Sequence, residues 1–300
     1  MSSPATGSGA LGQPGTRPGR SRLTSGGLAV LRGSVRISLI QLAVHDDEPL
    51  SERVRRVGDL VRAQRGADLV VLPELWPHGA FAYQRWATEA ETLDDPTVHA
   101  MSAAARDLGG WLHTGSLIER ASDLQLYNCS VLLDPHGDIA ATYRKIHRFG
   151  FTEGEAKLIS AGEEPVTYPA PFGTLGFAIC YDLRFPELFR LLVDRGAEIL
   201  VIPAGWPARR VAHWRLLLQA RAVECQAYVL GCATAGEHCE VRMSGHSMVV
   251  DPWGEIVAEA GEDEEVLTVE IDPARVAEVR RDFPVLRDRR LGLPAPAPRG

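Results

Sequence analysis

Two stretches of this chain repeat each other. Arg65-Gly66-Ala67-Asp68-Leu69-Val70-Val71-Leu72-Pro73-Glu74-Leu75-Trp76-Pro77 is echoed by Arg195-Gly196-Ala197-Glu198-Ile199-Leu200-Val201-Ile202-Pro203-Ala204-Gly205-Trp206-Pro207. In each, a glycine turn leads into a short apolar run that a proline closes. Such a run is too short for a helix and apolar on both faces, which is the pattern of a strand buried inside a parallel sheet. Each copy is followed by a helix, a strand and a hairpin turning at Asp-Pro-x-Gly: Asp134-Pro135-His136-Gly137 in the first half, Asp251-Pro252-Trp253-Gly254 in the second. A chain with two halves of this kind buries its apolar faces best as α/β, with two sheets face to face and helices outside. That is a four-layer α-β-β-α sandwich with internal pseudo-duplication. The spacing within the halves differs, so the duplication is loose. The echo fails at one informative place, where Glu74 has Ala204 as its counterpart. Repeated architecture explains shared residues, but not a carboxylate in one half alone.

The folded body is expected over residues 34–290 as one domain. Residues 1–33 are rich in Gly, Ser, Pro and Arg, with no acidic residue before Asp46. They carry too little apolar surface to fold, and predict a disordered N-terminal extension or a start codon placed too early. The proline-rich end, 291–300, is expected to be a flexible tail. Within the body, strands are expected at 35–44, 68–72, 111–119, 198–202, 228–232 and 266–271, with a hairpin of 126–133 and 139–144. Ser51 is expected to cap a helix ending at Gly66, and Asp95-Pro96 another running to Leu108. Further helices are expected at 185–194, at 211–226, and from Asp272-Pro273 to Arg281.

Apolar residues make up 45% of the chain, ample for a large core, and the net charge of −7 argues against general nucleic-acid binding. No apolar run is long enough to span a membrane. The five cysteines are odd in number and form no Cys-x-x-Cys pair, so neither a disulfide framework nor a zinc knuckle is indicated. Cys232, His238 and Cys239 fit no familiar metal-ligand spacing, and no Gly-x-Gly-x-x-Gly follows the first strand. The chain is therefore expected to work without metal or cofactor, without membrane or nucleic acid, in a reducing cytoplasm.

The chemistry centres on Cys180. The segment Leu175 to Ile179 is an apolar strand, and Pro186-Glu187 open a helix. A thiol between them stands at the rim of a sheet, beside backbone N–H groups able to hold an anion, in surroundings expected to favour the thiolate. A free cysteine is more often a small core hydrophobe; this context reverses that reading. Glu74 and Lys145 stand likewise at the ends of a buried strand and a hairpin, where an unpaired charge is costly. Together the three supply what amide hydrolysis needs: a nucleophile, a base to take its proton, and a cation for the oxyanion.

Leu72-Pro73-Glu74, Tyr143-Arg144-Lys145-Ile146-His147 and Cys180-Tyr181-Asp182-Leu183-Arg184-Phe185-Pro186-Glu187 resemble the three signatures of the nitrilase (carbon–nitrogen hydrolase) superfamily, in that family's order and with comparable spacing. The resemblance runs from about residue 34 to 290. It implies Glu74 as general base, Lys145 as oxyanion stabiliser, Cys180 as nucleophile and the Tyr181 N–H as a second oxyanion donor. It also implies Glu153 as a second glutamate that positions substrate and lysine. Arg184 and Glu187 are expected to form a structural ion pair. The Cys-Tyr-Asp sequence, Gly245-His246-Ser247 and the run from Asp282 to Arg290 resemble the amidase-type branch near omega-amidase. The reaction implied is hydrolysis of a small carboxylate-bearing amide through a thioester, releasing ammonia; the alternatives are an N-carbamoyl amide, a nitrile, or a non-catalytic binding module on the same fold. The aromatic stretch Trp76 to Tyr83 is expected to shape the pocket, Arg209 and Arg210 are candidates for a substrate carboxylate, and a homodimer or larger homo-oligomer is implied. A Cys–His enzyme would instead need His147, His213 or His246 as its base.

Overall fold

The computed structural model describes residues 33–150 and 153–291. The extension expected over 1–33 and the tail over 291–300 therefore lie, but for Gly33 and Leu291, outside the described residues. The first half runs β1 (Val35–Gln41), α1 (Leu50–Arg62), β2 (Leu69–Val71), α2 (Tyr83–Glu89), α3 (Pro96–Leu108), β3 (Trp111–His113), β4 (Leu117–Arg120), β5 (Leu126–Leu133), β6 (Ile139–Arg144) and α4 (Glu155–Leu158). The second half runs β7 (Thr167–Ala170), β8 (Gly173–Phe177), a 3-10 turn (Cys180–Arg184), α5 (Pro186–Asp194), β9 (Ile199–Ala204), α6 (Val211–Cys225), β10 (Tyr228–Ala233), the short pair β11 (Glu237–His238) and β12 (Val241–Arg242), β13 (Met248–Val250), β14 (Ile256–Glu259), β15 (Glu265–Ile271), α7 (Ala274–Asp282) and α8 (Val285–Asp288).

The strands form two main sheets. One runs β15-β1-β2-β3-β5-β4, with β6 also on β5; the other runs β14-β13-β10-β9-β8-β7. At the centre of each is a parallel triplet, β1-β2-β3 and β8-β9-β10. The two echoed sequences are the middle strands, β2 and β9. They are paired on both sides and buried on both faces, which is why Leu69–Val71 and residues 199–202 are Val, Ile and Leu without interruption. The sheets meet face to face: the Cys232 thiol of β10 touches the carbonyls of Ile40 and Val71, and His113 of β3 lies 5.4 Å from Phe177 of β8. On one outer face, α1 and α3 set Val54, Val57, Val61 and Met101 against Ile40, Val70 and Leu72. On the other, Leu188 and Phe189 of α5 and Leu218, Ala222 and Cys225 of α6 complete the large core. Each such buried side chain contributes about 2 kcal/mol of transfer free energy. The two hairpin turns match in chemistry too. The carboxylate of Asp134 accepts the N–H groups of His136 and Asp138, and that of Asp251 accepts those of Trp253 and Glu255, all at 2.8–2.9 Å.

Several elements depart from expectation. The strand expected over 111–119 is two strands, because Gly115 takes φ +68 and a Cβ there would strike the Pro73 carbonyl. Ser51 does not cap α1, which starts at Leu50 after Pro49 with no side-chain cap. Asp95 precedes α3, but its carboxylate turns back to the N–H and hydroxyl of Thr92. Among the described residues no ion pair joins Arg184 to Glu187; Arg184 lies over the Trp206 ring and meets His213 Nδ1 at 3.3 Å.

Candidate active site

Three chain reversals converge at one end of the parallel triplets. Past β2, Leu72 and Pro73 deliver Glu74, and the next residue, Leu75, takes φ +46. Past β6 comes Lys145, whose N–H donates to the Asn128 carbonyl on β5 at 2.8 Å. Past β8 comes Cys180, itself at φ +46, a conformation costly for a residue with a Cβ and held here by its surroundings. What holds it is Asp182. Its fully buried carboxylate accepts the Ile179 N–H at 2.9 Å, the Tyr143 hydroxyl at 2.7 Å, and both the N–H and Nδ1 of His147 at 2.9 and 2.8 Å. Tyr143 and His147 flank Lys145, so one carboxylate ties the lysine segment to the cysteine turn. The first hydrogen bond of that turn runs from the Asp182 N–H to the Ile179 carbonyl, which leaves the N–H groups of Cys180 and Tyr181 ahead of it.

Glu74, Lys145 and Cys180 line one pocket, together with Glu155, Tyr181, Ala80, Phe81, Tyr83, Gly205 and Trp206. Lys145 Nζ donates to Glu74 Oε1 at 2.7 Å and to Glu155 Oε1 and Oε2 at 2.9 and 2.8 Å. Glu74 Oε2 accepts the Gly205 N–H at 2.7 Å. Gly205 is a residue of the echo, and a Cβ on it would come within 2.5 Å of the Ala80 Cβ. The second half of the repeat thus supplies the backbone that holds the acid of the first.

The second glutamate is two residues from where it was expected. Glu153 is exposed at the outer mouth, among Tyr83, Gly150, Arg209 and Arg210. Glu155 is buried and meets the lysine. The reason is Gly154 at φ +81, which reverses the chain and lets Glu155 open α4 pointing inward. A glycine followed by an acid at a helix start was the signal available in the sequence.

The electrostatics follow from burial. Burial opposes the charge on Lys145, but Glu155 and Glu74 more than offset it and hold its pKa well above the usual lysine value. Burial raises the pKa of Glu155, with Lys145 pulling the other way. Tyr83 is pushed up to about 12 by burial and by the charges of Glu155 and Glu74. Cys180 is raised well above an ordinary thiol by burial and by the charge of Glu74, against the pull of Lys145. These surroundings push the thiol up, against the expectation that they favour the thiolate, and this fits its need for a base.

Of the aromatic stretch, Phe81 and Tyr83 line the pocket, whereas Trp76 lies beneath it with Nε1 on the Thr114 carbonyl. None of the candidate histidines lines the pocket: His147 serves Asp182, His213 meets Arg184, and His246 bonds Glu259 at 2.8 Å. At the mouth stand Arg184, Arg209 and Arg210. Among the described residues none of the three has a carboxylate partner, and Arg210 is lowered from the usual guanidinium value by burial and by Arg209 and Arg184.

Comparison with known proteins agrees with this geometry. A family model described as carbon-nitrogen hydrolase matches residues 36–281. The chain is 43% identical over 275 residues to a 2-oxoglutaramate amidase of Paenarthrobacter nicotinovorans, covering 89% of this chain and 93% of that one. It is 35% identical to an omega-amidase of Homo sapiens, covering 87% and 96%. Among solved structures, a mutant of the amidase from Nesterenkonia sp. AN1 superposes with a TM-score of 0.74 at 28% identity, covering 86% and 98%; it carries the acetamide moiety of fluoroacetamide covalently on its active-site cysteine.

Proposed function

The chain belongs to the carbon–nitrogen hydrolase family, and from that premise we propose that it is an amidase for small amides that carry a carboxylate. The observation that carries this reading is the meeting of Glu74, Lys145 and Cys180 in one pocket, with Lys145 Nζ 2.7 Å from Glu74. Glu74 takes the proton of the Cys180 thiol as Sγ attacks the amide carbonyl. The oxyanion is met by Lys145 Nζ and the Tyr181 N–H. Glu74 returns the proton to the departing nitrogen, ammonia leaves, and a thioester remains. A water that gives its proton to Glu74 then attacks the thioester, and the acid is released with the thiol restored. Glu155 holds the lysine between two carboxylates, so that its charge stays in place through both half-reactions.

The carboxylate is inferred from the mouth. Three guanidinium groups that form no ion pair among the described residues outnumber the one carboxylate at this mouth, Glu153, and make a field that attracts an anion. The relatives named for 2-oxoglutaramate and omega-amides accord with a substrate that has an amide at one end and an acid at the other. Five free cysteines, one of them the nucleophile, suit a reducing cytoplasm. Exposed Leu191 on α5 and Leu216 and Val223 on α6 favour pairing with a second copy through that helix face, to be read by sedimentation equilibrium.

Ammonia release over a panel tests the proposal. Monoamides of short dicarboxylates are expected to be turned over at least about tenfold better, in kcat/KM, than simple aliphatic amides of the same length. Hydrolysis of nitriles only, or of carbamoyl compounds only, would overturn it.

A further inference from the structure

Resting on the reading of Glu74 as the base, we propose that Asn128 is a positioning residue for this reaction: its side-chain amide is split between Glu74 and Glu155 and sets the Glu74 carboxylate against Cys180. Asn128 is fully buried on β5. Its Nδ2 donates one hydrogen to Glu74 Oε1 at 2.8 Å and the other to Glu155 Oε1 at 2.7 Å. Its own carbonyl accepts the Lys145 N–H at 2.8 Å. One residue therefore grips both acids and the backbone of the amine between them.

Charge balance explains why an amide is needed. Glu74, Glu155, Lys145, Cys180 and Tyr83 face one another, and the only cation among them is shared by two carboxylates. Asn128 adds a second, neutral donor to Glu74 Oε1 and to Glu155 Oε1, the two oxygens that already accept from the lysine. A second lysine there would salt-bridge the base; an apolar residue would leave each of these oxygens with the shared lysine as its one side-chain donor among the described residues. The amide is kept at a visible cost. Among the described residues its Oδ1 is buried with no hydrogen-bond partner, so the polar contacts of the side chain all run from Nδ2 to the two carboxylates.

The test compares wild type with Asn128→Leu, which removes the donors, and Asn128→Ser, which keeps one. Two profiles are measured from pH 5 to 9: kcat/KM for an amide of the panel, and the rate at which chloroacetamide alkylates Cys180, read by mass spectrometry of its peptide. Hydrogen bonds to an ionised carboxylate favour that form, so their loss moves the acid limb of both profiles to higher pH, by about one unit for Leu and less for Ser. kcat falls about 10- to 100-fold while KM changes little, since no contact to substrate is lost. Folded variants with acid limbs unmoved overturn the proposal, as does failure of both variants to fold, because the amide would then serve the core. Alkylation needs no turnover: a moved alkylation limb in a protein that releases no ammonia upholds Asn128 and removes the amidase reading instead.

Discussion

At the scale of the residue, the site is a set of charges that burial would forbid singly. Lys145 and Glu155 are each under 5% exposed, and each is tolerated because the other is there. Glu155→Gln leaves the lysine with one acid, and kcat/KM is expected to fall at least about 100-fold. Glu153→Gln, at the exposed mouth, is expected to stay within about threefold. Steady-state kinetics of the pair decides between them, and the reverse ranking would return the role to Glu153. Glu74 and Cys180 stood out because each follows an apolar strand, and Lys145 because it ends a hairpin, places where a charge or thiol needs a reason. Asn128 did not. It lies inside the hairpin strand Leu126–Leu133, where an asparagine carries no pattern of its own until its neighbours are placed around it.

At the scale of the element, the working part is the junction of two turns. The stretch after β6 carries Lys145 and the turn after β8 carries Cys180; Asp182 binds both. Asp182→Asn replaces an acceptor of four hydrogen bonds by a group that must point a donor at donors. It is expected to cost about 2–3 kcal/mol of stability, read as a lower urea midpoint, and to lower kcat as the cysteine turn loosens. An unchanged midpoint would mean that the Ile179 and His147 bonds re-form with the amide. This clamp joins residues 35 apart in the chain, and local patterning offers no sign of it. Most strands of the two main sheets and the longer helices, by contrast, were legible from period and length; β7, at the edge of its sheet, was not. The break at Gly115 was missed although the polar stretch His113-Thr114-Gly115-Ser116 between two short apolar runs marks it.

At the scale of the whole molecule, the space between and around the sheets excludes charge. Burial lowers His113 to about 3, and His78 and His238 to about 4. In the unfolded chain histidine titrates near 6.5. Below that pH the unfolded chain takes up protons that the folded chain refuses. Stability is therefore whole above pH 6.5 and falls as pH drops toward 4, by roughly 2 kcal/mol per histidine at pH 5. The His113 ring is fully buried, and among the described residues neither of its nitrogens has a hydrogen-bond partner on another residue. His113→Leu is expected to remove one such share, making the fall in unfolding free energy between pH 7 and pH 5 shallower by about 2 kcal/mol. Urea titrations at the two pH values measure this, and parallel losses in both proteins would contradict it.

The amino-acid order by itself determined the layers. Two echoed apolar runs can be buried on both faces only inside parallel sheets, and two such sheets, each with an apolar face left over, must meet. It also singled out the candidate groups, because a glutamate and a cysteine after apolar strands and a lysine at the end of a hairpin are exceptions to their surroundings. Only the tertiary structure decided the rest: that Glu155 and not Glu153 faces the lysine, that Gly205 and Asn128 hold Glu74, and that burial raises the Cys180 thiol. Those outcomes depend on distances of about 3 Å between residues far apart in the chain. Hydrogen bonding and Coulomb energy vary over that range, whereas a linear pattern of polar and apolar residues does not register it.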